Sequence, residues 1–269
     1  MTYCVATALK DGIVFVSDSR TNAGVNNVST YSKMYSFGIP GERQYVVMSS
    51  GNLATSQAVI AQIKRDIKHG AAENLLNTEN VIDAAEYIGN ISRAQQEKNS
   101  GVGGTTNFES SFIIGGQVRG HQAASYMVYP QGNYITTSND TPYLQIGESS
   151  YGKPILDRII SRDSSLETAA MCSLVSMDST MRSNLTVGPP IELRIYDNDS
   201  FQPGRYYRFD EDSEYLRGLT KAWDKSLKEA FKNLPPVAWS SNWDQPDEEE
   251  SKDITEQQQQ YQQHQPQHQ

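Results

Sequence analysis

The sequence predicts an α+β fold in which antiparallel sheets carry helices on their faces. Three observations lead there. Segments that alternate apolar and polar residues come in groups, which sets sequence-adjacent strands side by side through hairpins. Segments with apolar residues at helical spacing fall between those groups, and such an order layers helices onto antiparallel sheets. The composition is that of a globular chain of 269 residues, 37% hydrophobic and 20% charged, enough for one large core or two small ones.

The first strand spans residues 2–9 and the second 13–18, around an Asp11-Gly12 turn signal. A two-residue loop pairs Lys10 with Ile13 and points Asp18 away from Thr2. A three-residue loop, Lys10-Asp11-Gly12, pairs Leu9 with Ile13 and Cys4 with Asp18, which sets Asp18 diagonal to Thr2. The three-residue loop is preferred because it gives the carboxylate a partner. A second hairpin turns at Pro40-Gly41 and leads into 45–50. Val59, Ile60, Ile63 and Ile67 mark a helix that stops at Gly70, a residue suited to the left-handed C-cap. A second helix covers about 79–98 on Ile82, Ala85, Ile88 and Ile91.

Strands resume over 108–146, with Gly115-Gly116, Arg119-Gly120 and Gln131-Gly132 as turn signals. Two helices follow, 151–162 and 166–181, the latter with Leu166, Ala170, Leu174, Met177 and Met181 on one stripe. Residues 191–196 and 206–209 make a strand pair turning at Pro203-Gly204. Leu216, Leu219, Trp223, Leu227, Ala230 and Phe231 form a last amphipathic helix, capped at Asp212 or Ser213. Its aromatic residues are expected in the core.

After Pro235-Pro236 the composition turns acidic and then glutamine-rich, which predicts a disordered tail over 235–269 behind a folded domain over 1–234. Residues 244–269 carry −6 of the formal net charge of −9, so the folded part is close to neutral. With no basic run or patch, nucleic acid is not expected as a partner. Neither cysteine, Cys4 or Cys172, sits in disulfide or zinc spacing, and both read as buried thiols of a reducing, cytoplasmic compartment. No export signal and no run of about 18 apolar residues is present, so no membrane partner is expected.

The chemistry begins at MTYCVA. Methionine is usually removed when a small residue such as threonine follows, and that leaves a β-hydroxyl beside its own α-amine. A threonine hydroxyl attacks poorly unless a base takes its proton, and the free amine can be that base. Such an amine titrates near 7.7–8.0 in model peptides, and a neighbouring ammonium lowers it toward neutrality.

Thr2 opening a strand, the Lys10-Asp11-Gly12 turn, Ser17-Asp18-Ser19-Arg20, Lys33-Met34-Tyr35 and Ser50-Gly51-Asn52 occur in this order. In them the chain resembles the proteasome β-subunit family of N-terminal nucleophile hydrolases. The longer stretches SDSRTNAG (17–24), IGESSYGKPILDR (146–158) and VGPPI (187–191) are similar to the bacterial ancestral β-subunit group, Anbu. The resemblance covers roughly residues 2–210 and implies a four-layer αββα sandwich of two antiparallel sheets. It implies Thr2 as nucleophile, Asp18 and Lys33 as the acid and lysine that tune it, and Gly51 as a backbone donor to an oxyanion. Where family members keep a serine after the glycine matching Gly147, this chain has Glu148, and Ser149 is the nearest substitute. Asp178 resembles the family's second aspartate, and Arg20 reads as structural.

The implied activity is threonine-type hydrolysis of peptide or unfolded-protein amide bonds, with no cofactor and no metal, in a particle self-assembled as a ring or spiral. Transfer of the acyl group to an amine, or a non-catalytic scaffold, are the alternatives. Residues 101–106, GVGGTT, lack the GK[ST] ending of a phosphate loop and read as a flexible connection. His69, His121, His264 and His268 show no metal-ligand spacing.

Overall fold

The computed structural model describes residues 2–22, 28–100, 107–235 and 237. The expected tail, 235–269, lies outside them except for residues 235 and 237, as does the 101–106 connection. The chain divides into two compact units, Met1–Lys221 and Ala222–Gln269. Twelve strands and five α-helices are found among the described residues.

The first unit holds two five-stranded antiparallel sheets. One combines β1 (Tyr3–Ala8), β2 (Gly12–Asp18), β10 (Tyr143–Gly147), β11 (Ile191–Asp197) and β12 (Arg205–Phe209), in the order β10-β1-β2-β11-β12. The other runs β5 (Met34–Ile39), β6 (Arg43–Gly51), β7 (Ser110–Val118), β8 (Ala124–Val128) and β9 (Tyr134–Thr136) in chain order. A short pair, β3 (Arg20–Asn22) and β4 (Val28–Thr30), was not expected from the sequence. The helices are α1 (Leu53–His69), α2 (Val81–Ser100), α3 (Lys153–Ile159), α4 (Leu166–Ser183) and α5 (Glu214–Lys232).

Three cores fix the layers. Tyr3, Val5, Val14 and Val16 face α3 and α4, whereas their strand neighbours Cys4, Ala6, Ile13 and Phe15 meet Met34, Val46, Met48 and Ile113 between the sheets. Tyr45, Val47, Phe112 and Ile114 face α1 and α2 on the far side. Side chains alternate across a strand, so a sheet covered on both faces needs apolar residues in both phases. That condition explains why VATA and IVFV are buried almost without a break, each fully buried aliphatic contributing about 1.5–3 kcal/mol. The result is the expected αββα sandwich.

The first hairpin departs from the expected register by one residue. Ala8 pairs with Ile13 and Cys4 with Ser17, so the turn is Lys10-Asp11 and Gly12 already belongs to β2. Gly12 serves packing on the other side of β2 instead of the turn: a Cβ there would lie 2.0 Å from the Tyr196 carbonyl oxygen of β11. Gly115-Gly116, read as a turn, lies inside β7 for the same reason. A Cβ at 115 would meet the Phe15 ring at 2.8 Å and one at 116 the Gln44 carbonyl oxygen at 1.9 Å.

The helix α1 ends at Gly70 with φ +60° as expected, whereas α3 is shorter than the 151–162 segment. The expectation that the aromatics of α5 are core is corrected: no residue of α5 is buried, and of its apolar stripe Leu216 and Leu219 are partly buried against the core beside α4. Cys4 and Cys172 are buried free thiols, and burial pushes the Cys172 thiol up to about 11. No helix among the described residues is long and apolar enough to cross a membrane.

Candidate active site

Thr2 is held at both of its neighbouring peptide groups. Its carbonyl accepts from the Glu148 N–H at 2.7 Å, and the following N–H, of Tyr3, donates to Asp18 Oδ1 at 3.1 Å. Gly147 makes the first bond possible. It takes φ +85°, and a Cβ there would stand 1.9 Å from the Thr2 carbonyl oxygen, a conformation and an approach open only to glycine. The Tyr3 side chain anchors the same end from below, accepting from Gln145 Nε2 at 2.6 Å and sharing a 2.7 Å hydrogen bond with Ser176 Oγ of α4.

Asp18 ends β2 one step beyond the Cys4–Ser17 pair and is fully buried. Lys33 precedes β5, and its carbonyl accepts from the Ser49 N–H at 3.1 Å. Its Nζ donates to Asp18 Oδ1 at 2.7 Å and to the Arg20 carbonyl at 2.6 Å, with only 5% of the residue exposed. The second carboxylate oxygen of Asp18 accepts from the Gly188 N–H at 3.3 Å. Burial pushes the Asp18 carboxyl above the usual aspartate range, opposed by the Lys33 ammonium and by the N–H groups of Tyr3 and Gly188. Arg20 has the structural place expected of it: Nη1 donates to the Leu185 carbonyl at 3.0 Å, and the guanidinium lies over Gly188.

Gly51 closes β6 with φ +98°, and a Cβ on it would fall 2.4 Å from the Glu109 carbonyl oxygen. The next residue, Asn52, caps α1 by accepting the Thr55 N–H at 3.1 Å. Gly51 therefore sits at a helix N-terminus, where backbone N–H groups and the helix dipole favour negative charge. Thr2, Lys33, Gly51 and Gly147 line one cavity of about 620 Å³, whose walls include Ser49, Ser50, Ser56, Ser110 and Glu109.

Asp18 reaches this cavity only through Lys33, and two expected residues neither line it nor pair with Lys33. Ser149 is not among its lining residues, and its carbonyl accepts from Lys153 N–H at the entry to α3. Asp178 accepts from Thr220 Oγ1 at 2.6 Å and lines a separate hollow with Pro189, Leu216 and Thr220. Successive helical residues turn by about 100°, so when Ser176 faces Tyr3, residue 178 points about 200° away. Ser176 and Glu109 carry no local signature in the sequence, and Gly188 has only its place inside VGPPI. Among the described residues no group of three His, Cys, Asp or Glu could hold a metal ion.

No family model and no curated protein matches the chain. Solved structures do. Anbu (ancestral beta-subunit) from Yersinia bercovieri is 44% identical over 87% of this chain and 98% of its own, with a TM-score of 0.83. The helical assembly of the Anbu complex from Pseudomonas aeruginosa is 46% identical over 88% and 99%, with a TM-score of 0.85. Anbu from Hyphomicrobium sp. strain MC1 is 41% identical over 87% and 99%, with a TM-score of 0.81.

Proposed function

The chain belongs to the Anbu (ancestral β-subunit) family of proteasome-related proteins, and from that premise we propose that it is an amide hydrolase whose nucleophile is Thr2 Oγ once Met1 is removed. The freed α-amine takes the hydroxyl proton as Oγ attacks the substrate carbonyl. The Gly51 N–H donates to the oxyanion that forms, an effect typically worth about 2.7–4 kcal/mol for one donor. Collapse breaks the C–N bond, the amine hands its proton to the leaving nitrogen, and an acyl-threonine remains. Water activated by the same amine then releases the acid.

The Lys33 ammonium is assigned the tuning of that base: a fixed positive charge lowers the pKa of a nearby amine below its usual range of about 7.7–8.0. Asp18 holds the ammonium in place. Ser149 and Asp178 receive no role in the steps, because neither lines the cavity nor, as Asp18 does, pairs with a residue that lines it.

The observation that carries this reading is the buried Lys33–Asp18 pair at the cavity of Thr2. Desolvating two charges costs several kcal/mol per ion, and packed apolar residues serve stability as well or better. A scaffold has no need of the pair. Chemistry at Thr2 does.

Intact-mass spectrometry tests the proposal, before and after treatment with a threonine-directed peptide epoxyketone. Loss of Met1 and a single adduct that vanishes in Thr2→Ala is the expected result. Retained Met1 with no adduct would remove the base and the reading with it. A labelled peptide incubated with a competing amine should give the free acid, whereas a new amide would establish transfer. The helical assembly of the Pseudomonas relative supports self-association of this chain as well.

A further inference from the structure

Several of the polar groups that line the cavity beside Thr2 spend their donors within the protein. Ser56 Oγ and Ser110 Oγ both donate to the Asn52 carbonyl, at 2.8 and 3.0 Å. The two hydroxyls also lie 3.3 Å from each other, either able to donate, so their hydrogens stay within the protein. Asn52 Nδ2 donates to the Asn107 carbonyl and Asn107 Nδ2 to Glu109 Oε2, both at 3.0 Å. Lys33 gives two of its three N–H bonds to Asp18 and Arg20.

The charges leave a net negative wall. Lys33 is matched by Asp18. In the adjoining hollow of about 360 Å³, which shares Asn107, Glu109 and Pro130 with the cavity, Arg93 is matched by Glu97 at 4.0 Å. Glu109 has an amide donor from Asn107 and no ion pair among the described residues. Its backbone is fixed, the carbonyl accepting the Asn52 N–H at 2.8 Å and abutting Gly51. The uncompensated carboxylate therefore belongs to the residue packed against the proposed oxyanion donor.

Lysine and arginine side chains are donors only, with three and five N–H groups and no acceptor. They complement the Glu109 carboxylate, whereas a substrate carboxylate would meet a like charge there. Resting on the hydrolase reading, we propose that the site selects substrates with a cationic side chain beside the carbonyl attacked, and that Glu109 selects it.

Three peptide epoxyketones that differ only in the residue next to the electrophile, lysine, norleucine or glutamate, test this on the full chain, with Thr2 adduct formation followed by intact mass. Lysine should react about three- to tenfold faster than norleucine at low salt, and glutamate slowest. The advantage should shrink in about 0.5 M salt, where screening is strong. Glu109→Gln should bring the lysine-to-norleucine ratio near one, and Glu109→Lys should invert the order, both with a wild-type thermal midpoint because the side chain is exposed. Equal rates for all three probes, or an unchanged ratio in Glu109→Gln, would overturn the selection and leave the nucleophile standing. Absence of any Thr2 adduct would overturn both.

Discussion

At the scale of single residues, the Lys33–Asp18 pair couples the site to stability. With both partners buried, removing one leaves a charge without compensation, and Lys33→Ala should cost about 3–5 kcal/mol at neutral pH. Urea titration measures it. The pH dependence has a definite sign. Asp18 is held above the ordinary aspartate value by burial, so folding favours its protonated form. That contribution is complete below about 3.9 and is lost as pH rises through the raised folded value. Lys33 is the largest influence opposing the shift, so without it the loss extends to higher pH. The urea midpoints of Lys33→Ala and wild type should converge as pH falls toward about 4; a gap constant with pH would mean that Lys33 contributes by packing alone. The residues that the structure gathers, Thr2, Asp18, Lys33 and Gly51, were legible because each sits at a strand end or turn with a local signature. Ser149 and Asp178 lie off the cavity, in directions that depend on how α3 and α4 dock, which local spacing does not encode. Glu109 carried no signature at all.

At the scale of elements, the helices read well and the glycines did not. Gly70 ends α1 as its place after Ile67 suggests, since a C-cap is a local arrangement. Gly12, Gly115 and Gly116 carry turn chemistry in the sequence but serve the close approach of neighbouring strands and rings, which is a tertiary demand. Two substitutions separate these roles. At Gly120, φ is +89° and nothing lies within 4 Å of an added Cβ, so Gly120→Ala should cost only the backbone penalty of about 1–2 kcal/mol. At Gly116 an added Cβ meets the Gln44 carbonyl oxygen at 1.9 Å, and β6 and β7 must part to admit it. Gly116→Ala should lose clearly more stability than Gly120→Ala in denaturant titration; equal losses would show that the β6–β7 pair yields without cost.

At the scale of the whole molecule, alternation of apolar residues in both strand phases made the two covered sheets foreseeable, and the four layers follow from it. The helix α5 marks where a single chain stops explaining itself. Its apolar stripe was legible, yet within this chain Leu216 and Leu219 are only partly buried, and further along Leu227 and Phe231 are 53% and 75% exposed. Large apolar side chains repeated along one stripe and left in water are an expected contact between copies of a self-associating protein. Sedimentation velocity on the full chain should therefore show species heavier than the monomer that grow with concentration. Serine at both Leu227 and Phe231 should leave monomer stability within about 0.5 kcal/mol, as for exposed substitutions elsewhere, while lowering that association. Should the doubly substituted chain associate as strongly as the wild type, self-association would rest on the sandwich and not on the helix.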